Sequence, residues 1–376
     1  MKTFLWVLRI IIGVVFIFSG VVKANDPMGL VYKMDEFFDV LNMTFMLPYS
    51  FIFSVTMIAF EITCGVAVLI GAAFNIFATL LLLLNIFFTF LTGYALYSGK
   101  VKECGCFGAC IPLSPQATFN KDVFLTIVAI ILFIYRSRIK GLFDRHVNTA
   151  IMILTVVIAA GIQWWALQHL PFNDCMPYKP GSNIWVKMQP GPDYKPAEIE
   201  SVFIYEKNGQ KKEFTTTTIP WQDSTWKYVD RKDKTIKEAT GEPEIHDFIL
   251  TDSDKNDQTK AVLTAPGYTI FWFVRNPQGP HLEKLDQISK LAAKAKELHI
   301  PFYCLCSADM ETSMAFMKKI GMANVPVFTL DGTASKTAMR TDPGLMVIKD
   351  GLVVQKWSYR DYPQDMEMNG GKLNIK

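Results

Sequence analysis

Five long apolar runs crowd into the first 170 residues of a 376-residue chain, and they set its class before any motif is read. The runs are Phe4–Val22, Tyr49–Ala72, Phe74–Ser98, Asp122–Tyr135 and Val147–Leu167. A helix needs ~20 mostly apolar residues to cross a bilayer, and four of the five reach that length. The fourth is short, and its start is unmarked. Buried helices of a soluble bundle would carry polar faces at helical spacing, and Ala78–Phe90 has no such face. The first run exceeds the ~7–15-residue core of a secretory signal and continues into Ser19-Gly20-Val21-Val22-Lys23 without a cleavage site. It reads as a retained span.

Loop charge predicts orientation, because basic residues in short loops stay on the cytoplasmic side. Arg136, Arg138, Lys140 and Arg145 lie between the fourth and fifth runs, opposed only by Asp144. Asp26, Asp35, Glu36 and Asp39 lie beside Lys33 between the first two. The N-terminus is therefore expected in the cytoplasm, and five spans put everything after residue 170 outside. In a bacterium this is a multi-pass inner-membrane protein with a periplasmic C-terminal region. The 38 Lys+Arg nearly balance 35 Asp+Glu, and no basic run is interleaved with aromatics, so no nucleic-acid partner is expected. The expected partners are the lipid bilayer and an exported or envelope protein.

Sulfur placement then becomes informative. Cys64 lies inside the second span, whereas Cys104, Cys106, Cys110, Cys175, Cys304 and Cys306 fall on the predicted outer side, where thiols tend to be oxidised, paired or redox-active. Glu103-Cys104-Gly105-Cys106-Phe107-Gly108-Ala109-Cys110 packs three of them into one tight loop. Glycine permits the positive-φ turns that bring cysteines so close in sequence within disulfide reach. Such bonds are strained and exchange readily. Lys100 and Lys102 would favour a thiolate, and Glu103 would oppose it. Redox exchange, a static brace and a structural zinc site are the competing readings. The Cys-x-Cys-x3-Cys spacing lacks the paired Cys-x2-Cys of zinc folds, so no metal is expected.

The run Phe16-Ile17-Phe18-Ser19-Gly20-Val21-Val22-Lys23-Ala24-Asn25-Asp26-Pro27, then Glu61 with Gly65 and Gly71, and then Cys104-Gly105-Cys106-Phe107-Gly108 resemble the DoxX-like membrane proteins, specifically their methylamine-utilisation MauE-type branch. The resemblance covers about residues 1–140 and implies a four-helix membrane bundle associated with disulfide or redox maturation of exported proteins. A fifth span (147–169) and a large outer region are additions to that pattern.

Within the bundle, Glu61 and Asn85 fall mid-helix, where a charge costs ~2.5–3.5 kcal/mol, so both should face the interior. Arg9 is the expected partner of Glu61. Helix-to-helix glue and proton handling are both open for Glu61. A quinone would suit an aromatic-rich bundle as electron acceptor, but no pocket for it is legible.

Beyond the spans, residues 170–241 read as a Pro/Gly-rich linker carrying Cys175, followed by a small β-rich insert. Cys175 lies at the level of the thiol loop and could pair with one of its cysteines, or stand alone. Ser201–Phe214 alternates around Asn208-Gly209, a hairpin signal. Residues 242–376 then read as an α/β domain: Tyr268–Val274, Pro301–Cys306 and Pro326–Leu330 as strands, Leu282–Leu298 as a helix, and Gly344–Ile348 turning through Asp350-Gly351 into Leu352–Trp357. The order resembles a thioredoxin-like domain of the peroxiredoxin and thiol-oxidoreductase type, and the resemblance implies a cis-proline at Pro343. Where that family places Cys-x-x-Cys, this chain has Asn276-Pro277-Gln278-Gly279. Without sulfur no thiolate forms there, so the domain is expected to bind or position a partner. Cys304 and Cys306, two apart on a strand, are ~6.6 Å from each other, too far to bond, and read as buried structural thiols. His246 and His281 are isolated.

The sequence thus predicts an α-helical membrane bundle followed by an α/β thioredoxin-like extracytoplasmic domain. Its expected work is thiol–disulfide exchange in support of exported proteins. Cys104, Cys106 and Cys110 are the candidate redox thiols, Cys175 a resolving thiol and Glu61 an accessory. The alternative is a non-enzymatic scaffold whose thioredoxin-like domain docks an envelope complex.

Overall fold

The structure, a computed structural model, describes residues 2–99, 101, 107–111, 113–207, 209–221, 223–237, 240–279 and 281–375. The described N-terminal residues form the α-helices α1 (Lys2–Asn25), α2 (Pro27–Val40), α3 (Ser50–Ile70), α4 (Phe74–Ser98), α5 (Pro115–Ile134) and α6 (Arg145–Gln168). All but α2 are long and apolar enough to cross a membrane. The short fourth run is completed by its cap: Ser114 Oγ accepts from the Ala117 amide and Pro115 fills the first helical position, so α5 starts seven residues before Asp122.

Helix α2 occupies what the sequence reads as an acidic loop. Asp26 Oδ1 accepts from the Gly29 amide at 3.1 Å, and Pro27 opens the helix. Leu30, Val31, Met34, Phe37 and Phe38 then recur on one buried face, four of them packed in a cluster with Ile58 and Ile62 of α3.

Small residues set the packing of α1 on α3. A methyl group on Gly20 would lie 2.4 Å from Ile62 Cγ1, and one on Gly65 would lie 2.9 Å from Ile17 Cγ1. Without a hydrophobic driving force between helices in lipid, such close backbone approach is what holds spans together. At one end of the bundle Arg9 donates from Nε to Val68 O (3.1 Å) and from Nη2 to Leu69 O (3.0 Å), satisfying orphan carbonyls where α3 stops. Arg136, Arg138 and Arg145 flank the α5–α6 connection at this same end, where Leu142 N donates to Ile70 O. The C-terminal region sits at the opposite end.

That region begins with α7 (Ile184–Lys187) and an antiparallel sheet of β1 (Glu198–Lys207), β2 (Gln210–Thr215) and β3 (Lys227–Lys237) in the order β2-β1-β3. The β1–β2 hairpin closes Lys207 onto Gln210, with Gly209 at φ +78°; Asn208 lies outside the described residues. Next come α8 (Thr259–Leu263), β4 (Tyr268–Val274), α9 (Leu285–Glu297), β5 (Phe302–Cys306), α10 (Met310–Lys319), β6 (Val327–Thr329), α11 (Gly332–Ala338), β7 (Gly344–Lys349) and β8 (Leu352–Ser358). A hairpin of β9 (Met366–Asn369) and β10 (Lys372–Ile375) ends the chain.

The five-stranded sheet runs β6-β5-β4-β7-β8, with β4, β5 and β6 parallel and β7 and β8 antiparallel to their neighbours. This is a thioredoxin-like arrangement. Period-two alternation sends Trp272, Cys304 and Cys306 into one core and Phe271, Phe273 and Leu305 into the other.

Candidate functional site at the bundle end

The segment after α6 and the loop before α5 meet where the C-terminal domain is seated. Cys110, in a 3-10 turn over Gly108–Cys110, is bonded to Cys175, 65 positions along the chain, with Cα atoms 4.8 Å apart. Both residues are half-buried. Phe107 anchors the loop on α1, its ring 5.7 Å from Phe18, and Lys121 Nζ lies 4.7 Å from the same ring. Cys104 and Cys106, with Lys100, Lys102 and Glu103, lie outside the described residues.

One helical turn beyond Phe18, the bundle buries a charge pair. Lys23 Nζ donates to Glu61 Oε2 at 2.7 Å and Oε1 at 2.9 Å, and to Ser19 Oγ at 3.0 Å, while its ammonium stands 4.8 Å from the Phe88 ring. Both side chains are only 3–4 % exposed. The expectation that Arg9 reaches Glu61 is corrected here. Arg9 caps α3 seven to eight residues farther along, about 11 Å from Glu61 at the helical rise, and stacks on Trp6 and Phe74. Lys23 is on the right turn because Gly20 brings α1 against Ile62, the residue after Glu61. Asn85 is buried, its amide donating to Leu81 O.

On the other side of the disulfide, the segment carrying Cys175 is tied at Asn173, Asp174 and Met176. Asn173 N donates to Asn25 Oδ1 and Asn25 Nδ2 to Asn173 O, at 3.0 and 2.9 Å. Lys356 on β8 gives its ammonium to Asp174 at 2.7 Å; burial pulls the Lys356 pKa down and Asp174 opposes that pull. Arg340 reaches Asp26, the cap of α2, at 2.9 Å and Met176 Sδ at 3.1 Å. His169 Nδ1 meets Asp361 at 2.7 Å, and Tyr359 donates to Gln168.

These ties identify which face of the thioredoxin-like domain is turned to the bundle. The Asp342–Pro343 bond is cis, and Arg340 lies three residues before Pro343. Asp342 accepts from the amides of Arg275 (2.8 Å) and Asn276 (3.2 Å), which pins the Asn276–Gly279 turn after β4. Tyr32 of α2 lies below Lys336 and Arg340, 4.9 and 5.6 Å from its ring, and burial raises its hydroxyl pKa. The face of the domain that carries Lys336, Arg340 and Lys356 is therefore covered by the chain's own α2 and the Cys175 segment.

Cys304 and Cys306 are free, fully buried and without a carboxylate or ammonium partner in ion-pair contact among the described residues; burial pushes both thiols up, Cys304 far above the ordinary range. His281 stacks on Tyr359, ring centroids 4.3 Å apart. Between α3 and α4 an apolar groove of about 590 Å3 is lined by Met46, Phe53, Phe60, Leu83, Leu84 and Phe87. Its polar groups are the Tyr49 and Thr56 hydroxyls, so it accommodates a prenyl or acyl chain more readily than a polar ring.

Residues 1–135 match the family model of the methylamine utilisation protein MauE. Residues 199–238, the three-stranded insert, match a domain family of unknown function, DUF8463. Among solved structures, the chain is similar to a secreted Mycobacterium tuberculosis disulfide oxidoreductase homologous to E. coli DsbE, at 18% identity over 29% of this chain and 81% of that one, TM-score 0.25. A putative thioredoxin from Neisseria meningitidis shares 19% identity over 30% of this chain and 77% of its own, TM-score 0.25. Reduced Prx3 from Vibrio vulnificus, solved with hydrogen peroxide, shares 15% over 33% and 88%, TM-score 0.27. No curated protein matches the chain.

Proposed function

We propose that this multi-pass membrane protein exchanges disulfides with exported proteins, using the Cys110–Cys175 bond and the neighbouring thiols Cys104 and Cys106. The carrying observation is the position of that bond, half-buried at the bundle end and fastened to the Cys175 segment that the thioredoxin-like domain clamps. A client thiolate attacks one sulfur of the bond, forming a mixed disulfide and releasing the other sulfur as a thiolate. A second client thiolate then resolves the mixed disulfide. The client gains a disulfide, and Cys110 and Cys175 are left as two thiols. Cys104 and Cys106 act as the local relay.

Restoring the bond takes two electrons and two protons away, and a membrane quinone is the acceptor class we propose. The α3–α4 groove would seat its chain, with the Tyr49 and Thr56 hydroxyls as partners for the ring. In this reading the protein lies in the inner membrane of a bacterium, with the arginine-rich end cytoplasmic and the disulfide periplasmic, as the loop charges favour. The domain positions the Cys175 segment and performs no dithiol chemistry of its own.

The scaffold reading has one observation in its favour, the number of ties on both flanks of the disulfide, which would suit a permanent brace. Differential alkylation of intact cells, read cysteine by cysteine by mass spectrometry, separates the two. Exchange requires Cys104, Cys106, Cys110 and Cys175 to appear in both oxidised and reduced forms, and Cys104→Ser with Cys106→Ser to lower client oxidation. A locked Cys110–Cys175 bond and unchanged clients would leave only the brace.

A further inference from the structure

Helix α6 is the least covered of the spans, with Ile153, Leu154, Val157 and Trp164 exposed along it. At its last turn, where a spanning helix passes through the phospholipid headgroups, it borders a cavity of about 280 Å3 shared with the thioredoxin-like domain. Trp164, Gln168 and His169 form the wall at the end of α6, and Glu283, Lys284, Tyr359 and Arg360 form the wall across from it. Lys284 Nζ donates to Arg360 O, and Arg360 Nε donates to the Tyr359 hydroxyl at 3.3 Å. Both cations are thus held in place by neutral oxygens, and neither they nor Glu283 has an ion-pair partner among the described residues. Asp361, next to Arg360 in sequence, is already engaged by His169 and Ser358.

Two uncompensated cations and one uncompensated carboxylate facing a single cavity at headgroup depth complement a zwitterion that carries a phosphodiester and an ammonium. We propose that this cavity binds the headgroup of phosphatidylethanolamine. Lys284 and Arg360 take the phosphodiester, Glu283 takes the ammonium, and the acyl chains run down the exposed face of α6 past Trp164. Indole at this depth is the usual companion of headgroups. Charge-assisted hydrogen bonds from a guanidinium and an ammonium give the phosphodiester a stronger hold than neutral donors would.

Native mass spectrometry of the full-length protein, offered equimolar phosphatidylethanolamine, phosphatidylglycerol and phosphatidylcholine in detergent, tests this directly. Phosphatidylethanolamine should be retained best, because methylation in phosphatidylcholine removes the hydrogen bonds to Glu283. Lys284→Gln with Arg360→Gln should cut its retention about tenfold or more, the loss of two charge-assisted contacts. Glu283→Gln should keep phosphodiester binding and shift preference toward phosphatidylglycerol. Persistence of the Cys110–Cys175 bond and of the melting temperature in each variant marks them as folded. Soluble glycerophosphoethanolamine should bind far more weakly than the lipid. Equal binding of the soluble headgroup, equal retention of all three lipids, or undiminished retention by the double variant would each overturn the proposal.

Discussion

The bundle end and the thioredoxin-like domain treat sulfur in opposite ways. At the bundle end, two cysteines far apart in sequence are bonded, half-buried and flanked by further cysteines in the same loop. In the thioredoxin-like domain, Cys304 and Cys306 are free and sealed inside a strand-lined core, and the turn Asn276-Pro277-Gln278-Gly279 after β4 carries no sulfur. Burial raises their pKa values, which removes the thiolate that would attack. The difference teaches that the domain keeps its own sulfurs out of reach while holding in place a segment whose cysteine is bonded outside it.

Four experiments break or sharpen that contrast. The largest effect is expected at the charge pair beneath the thiol loop. Glu61→Ala strands Lys23 in the bundle and should cost about 3–5 kcal/mol, whereas Lys23→Met with Glu61→Leu should recover most of it; thermal melting in detergent and steady-state abundance read both. Next, Cys175→Ser should destabilise by about 2–4 kcal/mol, while Cys304→Ser should leave the bond and its exchange untouched. Similar redox phenotypes for the two variants would erase the contrast. Arg340→Ala, which frees Asp26 and Met176, should cost about 1.5–3 kcal/mol at the joint and appear as faster proteolytic release of the C-terminal domain.

The smallest effect is a pH slope. A thiol whose folded pKa is raised contributes stability that is intact below the unfolded value of about 8.5 and is lost as pH rises toward the folded one, by up to about 1.4 kcal/mol per pH unit per group. The domain should therefore weaken in mild alkali, and Cys304→Ala with Cys306→Ala should flatten the slope, as followed by denaturant titration between pH 7 and 10.

Much of this was readable in the chain. The five spans, the strand-turn-strand ending at Trp357 and the hairpin at Gly209 follow from length, alternation and turn chemistry, and the structure has them within a few residues, save at α5. Helix α2 was missed because its charged face was read as loop charge; Asp26-Pro27 followed by apolar residues at 30, 31, 34, 37 and 38 is the signal that would have found it. Lys23 lost to Arg9 as the partner of Glu61 because one sequence gives no relative height for two helices, and only the glycine contact at Gly20 sets it. That Cys175 bonds Cys110 in particular depends on the Asn25–Asn173 and Asp174–Lys356 contacts, which join residues more than 140 apart and leave no local trace. The docked face of the domain was invisible for the same reason.

The link between Cys110 and Cys175 also keeps time. Its two ends are 65 positions apart, with all of α5 and α6 between them, so a ribosome delivers the first sulfur well before the second exists. Until the fifth helix has been threaded into lipid, Cys110 has no lasting mate, and a closed bond is a chemical stamp that translation and insertion of the bundle are finished.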